Sequence, residues 1–168
     1  WNAGGKSDLA FFDIKSEKMT PGPALPAEII ANMSFSKDGK RLAMIANGST
    51  SPPDVWTLDI AAKRFDRITQ SPHAGVDLNA LVRPEKLTYK AHDGLDLTAW
   101  LYRPKGASGA GPMVLSFHGG PEGQERPRFN STYQALVSRG IAVLAPNVRG
   151  SSGFGKKFVN LDNGALRE

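Results

Sequence analysis

Val114-Leu-Ser-Phe-His-Gly-Gly-Pro121 is a short apolar run that ends abruptly in a histidine, two glycines and a proline. A run of this kind reads as a strand buried on both faces. The break puts His118, Gly119 and Gly120 at the strand's carboxyl end, where open α/β sheets bind ligands. Paired glycines leave backbone N–H groups unobstructed by side chains. Such groups can hold the oxyanion that develops when a carbonyl is attacked. The stretch is half of an acyl-transfer site, and the other half, a nucleophile, has to come from elsewhere.

Downstream, Ser131-Thr-Tyr-Gln134 is a capping box, with Ser131 expected at the N-cap and Gln134 reaching back to it. Tyr133, Leu136 and Val137 share one apolar face, and Gly140 stops the helix. Ile141-Ala-Val-Leu-Ala145 is a second apolar strand. Strand, short helix, strand is a βαβ unit, so the two strands are expected to be parallel. The loop Pro146-Asn-Val-Arg-Gly-Ser-Ser-Gly-Phe-Gly155 then lies beside the Gly-Gly loop, and 156–160 begins a short helix. Upstream, Leu87, Tyr89 and Ala91 alternate, Asp93-Gly94 turns the chain, and Leu95, Leu97, Ala99 and Leu101 alternate on the return, a β-hairpin.

The first 70 residues read differently. Asp8-Leu9 followed by Asp13-Ile14 recurs as Asp54-Val55 followed by Asp59-Ile60, at an offset of 46 residues. Each copy is an alternating strand followed by a polar, Lys-bearing turn and a threonine (Thr20, Thr69). Between them, 33–45 holds two strand-like pieces around a turn at Lys37-Asp38-Gly39-Lys40. A unit of about 40–50 residues with several short strands has the period of a β-propeller blade. The segment from Gln70 to Glu85 loses the alternation and carries prolines. The expected division is 1–75 for the end of a propeller, 76–84 for a linker, and 85–168 for the start of an α/β domain. His73 is expected to be a surface-loop residue.

The chain has 168 residues, no cysteine and a net charge of +5. The absence of cysteine excludes thiol catalysis, disulfides and zinc–thiolate sites. The basic residues are dispersed, so a nucleic-acid surface is not expected. No apolar run approaches the length of a membrane span. With no initiator Met, the chain is expected to be part of something longer, and its compartment, cytoplasmic or periplasmic, is left open.

The nucleophile is the missing piece. A Gly-x-Ser-x-Gly elbow would mount a serine on a strand-to-helix turn. Two near misses occur, around Ser108 and Ser152, but the first ends in Ala110 and the second in Phe154. In an α/β-hydrolase the order is serine, acid, histidine, and no histidine follows His118. His118 itself reads as a residue that fixes the loop rather than as a general base. Glu122 and Glu125 flank a loop, and Asp93 and Asp96 belong to the hairpin; neither pair has the context of a carboxylate catalyst.

Taken together, the blade repeat, the hairpin, the strand ending His118-Gly-Gly-Pro121 and the segment Asn147-Val-Arg-Gly-Ser-Ser-Gly-Phe-Gly155 resemble the prolyl oligopeptidase family of serine peptidases, in its acylaminoacyl-peptidase and dipeptidyl-peptidase-like branch. The resemblance implies the N-terminal portion of an α/β-hydrolase (a mixed sheet with a βαβ unit) preceded by antiparallel β-propeller blades, the whole truncated. It implies a Ser-Asp-His triad lying beyond residue 168, so that this chain alone is expected to be inactive. It assigns the oxyanion N–H to Gly120, the turn to Gly119, loop support to His118, and packing near the site or substrate contact to Arg149. No cofactor and no metal are expected. The expected partner is a peptide substrate, with neither nucleic acid nor membrane, and a homo-oligomer is open. Two alternatives remain, a propeller-based binding module with a non-catalytic hydrolase segment and an esterase.

Overall fold

The computed structural model describes residues 1–120 and 122–164. Pro121, the last residue of the opening stretch, and the final four residues of the expected 85–168 segment lie outside the described residues.

The first portion begins with two small hairpins, β1 (Asn2–Ala3) with β2 (Lys6–Ser7), and β3 (Ala10–Asp13) with β4 (Lys18–Pro21). A four-stranded antiparallel sheet follows, in the order β5 (Ile29–Phe35), β6 (Arg41–Gly48), β7 (Ser51–Asp59), β8 (Arg64–Arg67). The turn between β5 and β6 is tied by Asp38, whose carboxylate accepts from Ser36 Oγ at 2.6 Å and Lys40 N at 3.1 Å. The sequence repeat is a repeat of backbone geometry. Asp13 accepts from Ser16 N at 2.7 Å, and Asp59 from Ala62 N at 2.9 Å. Glu17 (φ 54°) and Lys63 (φ 52°) then take the left-handed conformation, again 46 positions apart. An aspartate that satisfies an N–H three residues on lets a non-glycine residue turn the chain.

Leu9, Leu42, Met44 and Leu58 form this portion's core, with Phe11, Ile30, Trp56 and Phe65 packed against it. Alternation along β6 puts Leu42, Met44 and Ala46 on the buried face. Leu58 is fully buried, and its truncation to alanine would cost about 2–5 kcal/mol.

The second portion is a mixed sheet in the order β11 (Met113–Leu115), β12 (Ala142–Asn147), β10 (Asp96–Tyr102), β9 (Glu85–Lys90). β9 and β10 form the expected hairpin. β11 and β12 are parallel, with Val114 opposite Val143, and are joined through α1 (Ser131–Ser138), which completes the βαβ unit. Trp100, Tyr102, Val143 and Ala145 from the sheet pack against Tyr133 and Val137 from the helix. α2 (Lys156–Val159) follows β12.

Two local expectations need correction. β11 is not buried on both faces: Met113 is 49%, Leu115 57% and Phe117 62% exposed. Among the described residues it is the outer strand and has a neighbour only in β12. Burial of both faces requires a covering layer on each side, and α1 packs over β12 and β10 instead. The capping box also fails. Asn130 is the N-cap, and its side chain accepts from Tyr133 N at 3.1 Å. This frees Gln134, whose side chain spans the two portions. Its Oε1 accepts from Val82 N at 2.9 Å, and its Nε2 donates to Ser49 O at 3.0 Å and Val82 O at 2.8 Å. The helix stop at Gly140 has Schellman geometry. Gly140 has φ +80°, its N–H bonds Val137 O at 3.0 Å, and Ile141 N bonds Leu136 O at 3.1 Å.

Candidate oxyanion site

β11 and β12 run parallel, so the chain leaves both at the same end of the sheet. The His118 loop and the loop of residues 148–155 are brought together there. His118 Nε2 lies 2.8 Å from Ser151 Oγ, and Ser151 Oγ lies 2.6 Å from Val148 O. A carbonyl can only accept, so the single hydroxyl proton of Ser151 goes to Val148. Ser151 must then accept from His118, which assigns the proton to Nε2. With Nε2 committed to a fully buried serine, the ring ties two loops together. Its other nitrogen, Nδ1, is 3.4 Å from Gly119 O, too far for a well-formed bond.

Gly120 has φ +67°, the left-handed conformation that glycine tolerates without strain, and it carries the positive φ of the Gly-Gly pair. Both glycines are exposed. Among the described residues neither N–H has an acceptor. An N–H of an exposed residue with no protein acceptor can donate to an anionic oxygen without first breaking a protein bond.

The segment after the glycines is held from beneath. Asn147, buried at the end of β12, accepts from Glu125 N at 2.8 Å through Oδ1 and donates to Glu125 O at 3.2 Å through Nδ2. Trp100 Nε1 donates to the same carbonyl at 3.1 Å, and Ser152 N donates to Gly123 O at 2.9 Å. The Glu125 carboxyl group is pushed above its usual value by burial, an effect that nearby Arg128 partly opposes. Arg149 reaches away from the glycines to Asp93 in the β9–β10 turn, with Nη2 at 2.7 Å from Oδ2. The hydrogen bond from Arg149, helped by the N–H of Leu95, holds the Asp93 carboxyl below its ordinary value. Ser108 remains in its own loop, and Ser152 contributes its backbone N–H. Sequence reasoning missed Asn147, Ser151 and Trp100. The one available signal was a polar residue, Asn147, directly after an apolar strand.

Residues 70–164 match the family model of acetyl xylan esterase (AXE1). Dipeptidyl aminopeptidase BIII of Pseudoxanthomonas mexicana is 38% identical over 147 residues, which cover 83% of this chain and 21% of that protein. The crystal structure of a puromycin hydrolase S511A mutant complexed with PGG superposes with a TM-score of 0.82 at 26% identity, over 96% of this chain and 25% of that one. The chain belongs to the prolyl oligopeptidase family, among hydrolases that the acetyl xylan esterase model also describes. The family fold extends to Pyrococcus horikoshii acylaminoacyl peptidase, with a TM-score of 0.73 at 22% identity over 94% of this chain and 24% of that one. This prolyl oligopeptidase-family chain thus spans about a fifth of the length of its curated relative and a quarter of the puromycin hydrolase chain.

Proposed function

We propose that this chain is the junction of a β-propeller with an α/β-hydrolase domain in a serine peptidase, and that it supplies one half of the oxyanion hole. The first portion then contributes the last propeller blades. A four-stranded antiparallel sheet, preceded by a hairpin that repeats β7–β8 at a 46-residue offset, supports that reading. The second portion contributes the first strands of the hydrolase sheet. The observation that carries the functional reading is Gly120 itself, exposed, at φ +67° and with no acceptor for its N–H among the described residues, in the loop that follows the parallel strand β11.

In the proposed reaction a serine outside this chain attacks a peptide carbonyl, a histidine relays the proton to the leaving amine, and water releases the acyl group. As the carbonyl carbon becomes tetrahedral, its oxygen gains charge, and the Gly120 N–H donates to it. One such donor is worth on the order of 10²–10³ in kcat. His118 takes no proton in this scheme; its bond to Ser151 holds the loop.

The match to an acetyl xylan esterase model favours a second reading, hydrolysis of carboxylic esters by the same oxyanion hole. Turnover of short peptidyl anilides beside acyl esters by the intact protein, with fluorophosphonate labelling of its serine, tests both. The proposal expects a labelled serine and anilide turnover. Ester turnover alone would establish the second reading, and an unlabelled protein would reject both in favour of a binding module.

A further inference from the structure

Resting on the proposed peptidase reading, we propose that Arg126 is a positioning residue for the oxyanion turn. It fastens the segment that carries Gly120 to the first portion of the chain. Two consecutive residues face opposite partners. The backbone of Glu125 is gripped by Asn147 and Trp100 of the second sheet. The side chain of Arg126 leaves that sheet, donating from Nε to Gly5 O at 2.9 Å and from Nη2 to Ser7 Oγ at 3.2 Å.

These acceptors belong to a firm support. Ser7 N bonds Glu28 O at 2.7 Å, and Ile30 N bonds Ser7 Oγ at 2.9 Å, so β2 is anchored to the strand that opens the four-stranded sheet. A second tie runs in parallel, from Asn2 Nδ2 to Gln124 Oε1 at 2.7 Å. Segment 124–126 is therefore clamped between the two portions, while on either side of Gly120 the chain is tied to the 148–155 loop by His118 to Ser151 and by Gly123 O to Ser152 N.

Arg126 is a costly choice for simple packing. Among the described residues no carboxylate pairs with it, and burial together with the nearby charge of Arg128 lowers its pKa. What the guanidinium adds over a neutral side chain is a rigid fork that reaches two acceptors in fixed directions. A misplacement of about 1 Å at a reacting group can cost on the order of a hundredfold in rate, so a clamp at this place acts on the turn rather than on substrate affinity.

The test compares Arg126→Gln and Arg126→Lys with wild type in the intact protein. Hydrogen exchange across 117–125 should accelerate about tenfold in Arg126→Gln, with β6 and β12 unchanged, and Arg126→Lys should fall between. For a peptidyl anilide, kcat should fall about tenfold or more with KM nearly constant, and affinity for a peptide aldehyde should fall by the same factor as kcat/KM. Unchanged exchange in the loop, or equal acceleration in β6 and β12, would overturn the proposal. A rise in KM with kcat intact would also overturn it, by making Arg126 a substrate contact. If the wild type neither turns over the anilide nor labels with fluorophosphonate, the peptidase reading fails, and the exchange data still decide whether Arg126 positions the turn.

Discussion

Asp54, buried in the first portion, and Glu125, half-buried in the second, meet opposite fates. Asp54 is saturated. It accepts from Arg67 through both Nε and Nη2, from Thr69 Oγ1 at 2.8 Å, and from Ser71 N and Oγ at 2.8 and 3.1 Å. Burial alone would raise its pKa, but the hydrogen bonds from Arg67, Thr69 and Ser71 outweigh burial and leave it below the ordinary value. The Glu125 carboxyl has no hydrogen-bond partner among the described residues, and burial raises it. The first portion closes its last hairpin with a charged side chain. The second holds the main chain of its candidate oxyanion segment with the side chains of Asn147 and Trp100, and the neighbouring half-buried Glu125 carboxyl takes no part. A carboxylate thus gathers the contacts in one place, and in the other a backbone segment is gathered by the side chains of Asn147 and Trp100.

The largest effect is expected from Asp54→Ala, which leaves the Thr69 hydroxyl and the Ser71 N–H without their acceptor and Arg67 without its partner. Unfolding in urea should show a loss of about 3 kcal/mol with the slope unchanged. A loss below ~1 kcal/mol would mean that water replaces the carboxylate. Asn147→Ala comes next, at about 1–3 kcal/mol, because it removes the acceptor of Glu125 N and one donor to Glu125 O. Unlike Asp54→Ala, it should also lower kcat in the intact protein. Equal loss of activity in the two variants, at matched folded fraction, would erase the distinction between them.

The smallest effect is expected from Glu125→Gln, and its sign carries the information. A carboxyl whose folded pKa is raised binds more protons when folded, so stability falls as pH rises from the ordinary value of 4.5 through the raised one. Glu125→Gln should therefore be slightly more stable than wild type at neutral pH, with that part of the pH profile flattened. Asp54 works the other way. Its contribution is full above the ordinary value of 3.8 and is lost as pH falls toward the lowered one. A melting-temperature profile from pH 3 to 8 separates the two, and a destabilised Glu125→Gln at neutral pH would contradict the assignment.

Where a residue's role is set by its immediate neighbours, the sequence was a sufficient guide. The Asp38-Gly39 and Asp93-Gly94 turns, the turn geometry repeated at 46 residues and the stop at Gly140 all depend on contacts a few residues away, and the parallel pair follows from the short strand–helix–strand order around α1. Legibility ended where a side chain had a choice of partners. Ser131 and Gln134 fit a capping box, but Asn130 is equally suited to cap, and Gln134 instead bonds Ser49 O, 85 positions away. The apolar run of β11 could not announce its exposure, because burial depends on what lies against it. The Ser151–His118 bond was hidden because serines beside glycines ordinarily serve as turn residues.

In the proposed reaction the Gly120 N–H receives the developing oxyanion. Gly120→Pro is a poor probe, since proline cannot adopt φ +67° and would rebuild the turn along with removing the donor. The direct measurement is a crystal structure of the intact protein with a peptide aldehyde bound as its tetrahedral serine adduct. The adduct oxygen is expected at about 2.7–3.1 Å from Gly120 N. An adduct oxygen directed away from Gly120 and held by other donors would contradict it.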